Sequence, residues 1–313
     1  MAAIRGNMAI EKFEIDLGSL EKSLRQPRSL FSYMMSFLTG AATIFAMVPL
    51  FSVLYLLVER GISALNWAAF TQLPPGAMES GGGFGNAIVG TLIIVAIATV
   101  ISVPLGILGA VYIAVFAAES KITAGVQFAA KVLTGLPSIL AGVFAFATVV
   151  TVTGGFSAPA GGVALALLML PTIMLTAEES IKRVPTKMRD AAIGMGATPT
   201  QVVTKIILPT AFPGILTGIM LALARAAGET APLLFTSLFS EFWMSRHFPM
   251  SLPHTVSDLM KPTASLAVLI YNFSGSPFEN QIAMAWSAAL TLVALVLVLN
   301  FIGHTISNRY ENH

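Results

Sequence analysis

The segment Val132–Ala177, VLTGLPSILAGVFAFATVVTVTGGFSAPAGGVALALLMLPTIMLTA, runs for 46 residues without a charged side chain. A helix rises about 1.5 Å per residue, so this stretch as one helix would be about 69 Å long, roughly twice the hydrocarbon thickness of a bilayer. It must therefore fold back on itself. Turn-forming residues cluster near its middle, namely Gly154, Gly155, Pro159, Gly161 and Gly162. The stretch predicts two membrane-spanning helices joined by a turn.

The composition of the whole chain agrees with this interpretation. The 313 residues include 17 basic and 15 acidic side chains, which is 10% of the chain, whereas about a quarter is usual in soluble globular proteins. Hydrophobic residues make up 56%. These values exclude a soluble enzyme, a nucleic-acid-binding protein and a disordered chain. The chain has no cysteine, and its four histidines are not spaced as metal ligands, so we predict no metal site.

Further uncharged stretches bring the number of predicted spans to six. They cover about residues 29–58, 84–116, 130–152, 162–181, 208–236 and 281–306. Their apolar residues do not alternate with polar ones, as they would in barrel strands. We therefore predict an all-α membrane protein with six transmembrane helices over residues 29–313. Residues 1–28 mix both charges and are predicted to form a cytoplasmic N-terminal segment rather than a signal peptide.

The distribution of basic residues predicts the orientation. With the N-terminus inside, the inner segments carry 13 Lys and Arg residues, the outer segments carry 3, and Arg225 lies within a span. Because positive residues accumulate on the cytoplasmic side, both termini are predicted to be cytoplasmic. The longest inner segment is then residues 182–209.

This inner segment reads KRVPTKMRDAAIGMGATPTQVVTKIILP. Pro185 can start a helix, Gly196 breaks it, and Thr198 is a suitable cap for a second short helix. Pro209 ends the segment at the membrane. Such a helix–glycine–helix elbow suits docking into a groove of a soluble partner. The residues alone leave open a connector that lies on the lipid surface.

The spacing within the elbow resembles a known family signature. Asp190-Ala191-Ala192, three residues, Gly196, nine residues and Ile206-Ile207-Leu208-Pro209 are similar to the E-A-A, G and I-x-L-P signature of ABC-importer permeases, with Asp190 in place of Glu. The resemblance implies the type I importer permease fold and a loop that inserts into a cytoplasmic ATPase. The residues implied in this coupling are Asp190, Ala191, Ala192, Gly196, Ile206, Leu208 and Pro209.

Arg225 and Glu229 are the only charged residues in the predicted fifth span. Arg225 lies about 24 Å along a helix from Pro209, and an arginine at the bilayer centre costs about 2.5–3.5 kcal/mol. We therefore expect the pair to face the interior of the bundle. An ion pair that fixes helix packing is one interpretation. The other is an oxyanion site, in which the guanidinium binds the anion and Glu229 orients Arg225 or accepts a proton from hydrogen phosphate.

The surrounding sequence Ala222–Thr236, ALARAAGETAPLLFT, resembles the A-R-x-x-G-E-T-A-P-L-L-F-T block of PstA-type permeases. These are one of two membrane subunits of phosphate ABC importers, and the resemblance covers about residues 84–306. It implies that Arg225, Glu229 and Thr230 bind the substrate. Leu175 stands where the family usually has an arginine. We predict that the nearby Glu178 and Glu179 lie at the membrane surface.

The resemblance also implies partners and a location. It indicates a PstC-type second permease, a PstB-type ATPase dimer and an external PstS-type phosphate-binding protein, all at a bacterial cytoplasmic (inner) membrane. The chain lacks the Gly-Lys of a phosphate-cradling loop, so we predict a non-catalytic subunit without a cofactor, with ATP used by the partner. Contacts with lipid, and none with nucleic acid, are expected. The outer segment 238–280, with Phe242, Trp243 and Tyr271, is either a docking surface for the binding protein or an interfacial aromatic belt. A proton-coupled secondary anion transporter that uses Arg225 and Glu229 is the alternative function.

Overall fold

A computed structural model describes residues 27–117, 120–244 and 256–311, so most of the predicted N-terminal segment lies outside the described residues. The described part is helical and contains no strand. Its helices are α1 (Pro27–Ile62), α2 (Trp67–Thr71), α3 (Gly85–Val111), α4 (Lys121–Gly135), α5 (Ser138–Ala145), α6 (Thr151–Thr153), α7 (Ala158–Lys182), α8 (Thr186–Gly194), α9 (Pro199–Val202), α10 (Leu208–Ala227), α11 (Ala231–Leu234), α12 (Val256–Leu259), α13 (Leu266–Ser274) and α14 (Glu279–Glu311).

Five helical segments in this part of the chain are long and apolar enough to cross a membrane, namely Arg28–Ile62, Gly85–Phe116, Ala158–Lys182, Pro199–Ala227 and Glu279–Arg309. A sixth span results if Lys121–Gly135 and Ser138–Thr153 are counted together, although they meet at an angle of 104°. Our predicted third span, 130–152, runs across this bend. Pro137 explains the break, because a proline pushes the preceding residue out of the helical conformation, and Leu136 is extended.

The predicted fold-back in the long uncharged stretch lies between α6 and α7. Gly154 ends α6 in the left-handed conformation with φ of +78°. Ser157 caps α7 by accepting a hydrogen bond from the Ala160 N–H, and Pro159 lies in the first turn of the helix. Gly161 and Gly162 lie inside α7 instead of the turn. Only the first part of the glycine cluster therefore forms the connection.

Helix α7 lies at the centre of the packing, with α3 and α10 against it. A core that we call the elbow cluster joins the end of α3 and the end of α7 to α8, α9 and the start of α10. Its buried members include Met174, Ile181, Ala192, Val202 and Ile207. A second core joins the middle of α3 and much of α7 to the last turns of α10. A third joins α2 and α13 to the first parts of α3 and α14.

The chain divides into two compact units, Met1–Tyr55 and Leu56–His313. The described part of the first unit is the N-terminal stretch of α1. Every feature of the candidate site described below belongs to the second unit.

Candidate functional site

The fifth span ends earlier than its hydropathy predicts. Helix α10 stops at Ala227, Gly228 follows as its C-cap, and the short helix α11 begins only at Ala231. We expected a helix to about residue 236. Pro232 has no N–H to donate to the Gly228 carbonyl, so a continuous helix would lose a hydrogen bond here, and the glycine weakens it further. Broken helices at membrane depth are typical of substrate sites in transporters.

The charged pair lies at this break. Arg225 occupies the last turn of α10, where a cation is favoured by the helix dipole, and its Nε donates a hydrogen bond of 3.2 Å to Oε1 of Glu229. The Glu229 side chain is only 17% exposed, as expected for the interior, but that of Arg225 is 45% exposed. The expectation that both face the interior of this bundle is therefore wrong for Arg225, which lies at the surface of the chain.

Thr230 follows the pair but points its hydroxyl elsewhere. Its Oγ1 lies 3.5 Å from the Ala267 carbonyl oxygen in the first turn of α13, at the limit of a hydrogen bond. Toward other described residues, the Arg225 guanidinium forms only its bond with Glu229. The structure thus brings Arg225 and Glu229 together and leaves the two Nη groups without a described acceptor, while Thr230 contacts another element.

The predicted elbow forms with the expected local signals. Helix α8 follows Pro185, Gly196 takes a left-handed φ of +86°, and Thr198 caps α9 in a reciprocal capping box with Gln201. A π-helical turn, Val203–Ile207, then leads into α10. The signature residues divide by burial. Asp190, Ala191, Gly196 and Pro209 are exposed, Ile206 and Leu208 are half-buried, and Ala192 is buried.

The exposed surface of the elbow also carries large apolar side chains that the sequence analysis did not identify. Met188, Ile193 and Met195 are exposed, Met195 by 83%. They lie on α8 and directly after it. Exposed apolar side chains suit a protein interface, and methionine adapts well to a partner surface. One side of the elbow is therefore buried in the elbow cluster, and the other side is exposed.

A protein family and several named proteins match this chain. Residues 102–312 match the family described as "Binding-protein-dependent transport system inner membrane component". The chain is 38% identical to the "Phosphate transport system permease protein PstA" of Yersinia pestis over 269 residues, covering 86% of this chain and 87% of that one.

The chain belongs to the PstA-type permeases of this family.

A relative from a second organism supports the same family. The "Probable phosphate transport system permease protein PstA" of Methanocaldococcus jannaschii is 35% identical over 263 residues, covering 84% of this PstA-type chain and 89% of the relative. A chain from inward-facing conformations of the MetNI methionine ABC transporter superposes with a TM-score of 0.53 and 22% identity, covering 72% of this chain and 93% of that chain. The predicted all-α fold of type I ABC importer permeases is confirmed. The chain is thus an inner-membrane component of an ABC transporter.

Two acidic residues near the end of α7 have different environments in this PstA-type permease. Glu179 is 71% exposed, as predicted, but the Glu178 side chain is only 5% exposed, so its prediction as a surface residue is wrong. Its Oε1 accepts hydrogen bonds from Gln127 of α4 and from Lys182, whose Nζ lies 2.5 Å away. The spacing of four residues between Glu178 and Lys182 was a signal for this pair.

The remaining expectations from the family resemblance concern Leu175 and the outer segment 238–280. Leu175, at the position where the resemblance implies an arginine in the family, packs against the elbow cluster and adds no charge. In the predicted outer segment, Phe242 and Tyr271 are exposed, and Trp243 is half-buried. Residues 245–255 of that segment lie outside the described residues. Docking of a binding protein there stays a prediction.

Proposed function

We propose that this chain is the permease subunit of an ATP-driven importer that moves inorganic phosphate across the cytoplasmic membrane. The proposal depends most on one observation. The Arg225–Glu229 pair lies at the break in the fifth span of a chain that is 38% identical to a named phosphate permease. An intramembrane arginine beside non-helical backbone favours an anion path over a purely structural ion pair.

The chemistry of the pair suits phosphate. A guanidinium presents a planar fork of donors that matches two oxygens of an oxyanion and is less strongly hydrated than an ammonium. Glu229 holds Arg225 through Nε, so the Nη groups remain available for the anion. The Glu229 carboxylate can also accept a hydrogen bond from the P–OH group of hydrogen phosphate, whereas sulfate has no such donor at neutral pH. Substrate binding is assigned to Arg225 and Glu229, with Thr230 next to them.

The exposure of Arg225 has a consequence for the partner. A charged side chain that is 45% exposed on a membrane subunit is costly against lipid, so a second protein surface or water must face it. We place the PstC-type permease there, with the phosphate path between the two subunits. An external PstS-type binding protein would deliver phosphate to the outer opening of this path.

We place the contact with the ATPase that drives transport at the cytoplasmic side of the membrane. We assign the exposed elbow residues, including Asp190, Ala191 and Gly196, to docking against a PstB-type ATPase dimer in the cytoplasm. This orientation puts both termini and residues 1–28 inside, as the basic residues predict. ATP hydrolysis belongs to the partner, and this chain carries no catalytic group, metal or cofactor in the scheme. The exposed apolar elbow favours this mechanism over proton-coupled secondary transport, which has no use for an ATPase-docking surface.

The test is transport by the purified complex in proteoliposomes. With the binding protein outside, radiolabelled phosphate should accumulate only when ATP is present on the ATPase side. Excess sulfate should compete poorly. Accumulation driven by a proton gradient without ATP would support the secondary transporter instead. Co-purification of the chain with an ATPase pair and a related permease provides an independent check.

A further inference from the structure

Arg189, on the elbow helix α8, contacts the end of the central helix α7. Its Nη2 donates a hydrogen bond of 2.6 Å to the Ile181 carbonyl oxygen. Ile181 lies in the last turn of α7, and its carbonyl oxygen also accepts a hydrogen bond of 3.3 Å from the Val184 N–H. A guanidinium in this place also compensates the negative end of the helix dipole. Within the described residues, this is the only side-chain hydrogen bond between α8 and α7.

Stability alone is a poor explanation for an arginine at this position. Its Nε is buried and has no hydrogen-bond partner among the described residues. A buried donor without an acceptor is unfavourable, and a lysine would supply the charge without that donor. What the guanidinium does provide is the contact between α8 and the end of α7.

Helix α7 in turn packs closely against α10. Gly214 and Gly218 of α10 face Ser180 and Thr176 of α7, and a Cβ on either glycine would overlap the hydroxyl oxygen opposite it. This contact, which we call the glycine seam, holds the two helices close together at two positions about one turn apart. Gly218 lies seven residues before Arg225 on the same helix. Displacement of α7 therefore acts directly on the helix that carries the charged pair.

The elbow is consequently attached at both of its ends. On one side α9 continues through the π turn into α10, and on the other the link 183–185, the elbow cluster and the Arg189 hydrogen bond join α8 to the end of α7. We propose that Arg189 is a positioning residue, which makes the elbow move α7 and α10 as one body when the ATPase closes. Without it, the ATPase would still pull on α10 through α9, but α7 would follow less completely. This inference rests on the proposed function of the chain as an ATP-driven permease.

The test compares variants in the fully assembled, reconstituted complex. Arg189→Met keeps the aliphatic stem and removes the charge, and Arg189→Lys keeps the charge. Lys131→Met is the matched control, because Lys131 is exposed on α4, outside the elbow. The readout is phosphate imported per ATP hydrolysed. We expect this ratio to fall by about fivefold or more in R189M, to recover in part in R189K, and to stay unchanged in K131M.

A purely structural role predicts a different result. If R189M lowers import and ATP hydrolysis in equal proportion to the amount of assembled complex, the ratio stays constant and the proposal is overturned. An unchanged R189M complex also overturns it. Failure of the proposed function would be visible separately, because the wild-type complex would then not import phosphate with ATP.

A distance measurement tests the same idea without the R189M variant. The chain has no cysteine, so spin labels can be introduced at the exposed positions Glu179 and Thr204, the second in the π turn of the elbow, through Glu179→Cys and Thr204→Cys. With Arg189 present, the distance between α7 and the elbow should be the same before and after ATP binding. A change of that distance on ATP binding would show that the elbow and α7 move independently, which contradicts the proposal.

Discussion

Gly218 packs against Thr176 so closely that a side chain on the glycine would overlap the threonine hydroxyl. The contact joins α10, which ends at the charged pair, to α7, which ends at the elbow. Gly214 and Ser180 repeat it one turn nearer the elbow. Small residues permit such close approach of membrane helices, where packing supplies much of the stability. The glycine seam thus links the predicted substrate site to the predicted ATPase contact.

Gly218→Ala should separate α7 from α10 and lower the stability of the protein. Overpacking of a tight core contact costs about 1–3 kcal/mol. The midpoint of thermal unfolding in detergent measures the effect. Gly125→Ala in α4 is the control, because nothing lies within 4 Å of a Cβ there and alanine favours a helix. Equal midpoints for G218A and wild type would argue against the seam.

Gly196→Ala should strain the elbow. Gly196 has φ of +86°, and an L-residue in the left-handed region costs about 1–2 kcal/mol. A strained elbow should dock less well, so stimulation of the partner's ATP hydrolysis by this permease should fall. Gly194→Ala controls for a change of side chain on α8, since it has open space and lies in the helix. An ATPase stimulation that is lost equally in both variants would contradict the role of the turn.

Glu178→Ala should destabilise the end of α7 more than the neighbouring Glu179→Ala. The buried Glu178 carboxylate accepts hydrogen bonds from Gln127 and Lys182, and its removal leaves a partly buried donor without a partner. Such a loss costs about 1–3 kcal/mol. Glu179 pairs with Arg183 at 3.8 Å on the exposed surface, where an ion pair contributes little. Thermal unfolding of the two variants, compared side by side, checks the order.

Glu229→Gln should weaken the discrimination between phosphate and sulfate. The amide keeps much of the shape, but it removes the charge that holds Arg225 and offers a donor to the anion. Phosphate uptake should therefore fall, and excess sulfate should inhibit the remaining uptake more strongly than in wild type. The exposed Glu179→Gln serves as the control. Unaltered sulfate competition in E229Q would mean that the Glu229 carboxylate does not distinguish hydrogen phosphate from sulfate through the P–OH donor.

Much of this architecture follows from local sequence signals. Uncharged stretches predict the helices, the Thr198 cap and Gly196 predict the elbow, and the motif spacing predicts the family. These signals act within a few residues, so a single sequence contains them.

The features that the sequence did not predict depend on contacts across the fold or on a competing local effect. Hydropathy continues through Gly228, although Pro232 ends the helix there. The burial of Glu178 depends on Gln127, 51 residues earlier. The bond from Arg189 to Ile181 needs the turn between α7 and α8. The exposure of Arg225 depends on what packs around the last turn of α10. The pattern of apolar residues along the chain contains none of this information.

The central claim is that phosphate passes this permease at Arg225, and uptake by the Arg225→Gln complex tests it most directly. Proteoliposomes with wild-type, R225Q or R309Q complexes are compared at equal amounts of assembled complex, where Arg309 is an exposed arginine near the end of α14. We predict that R225Q assembles and hydrolyses ATP but imports no phosphate, while R309Q imports it at the wild-type rate. Normal phosphate import by R225Q would remove Arg225 from the path and contradict the account.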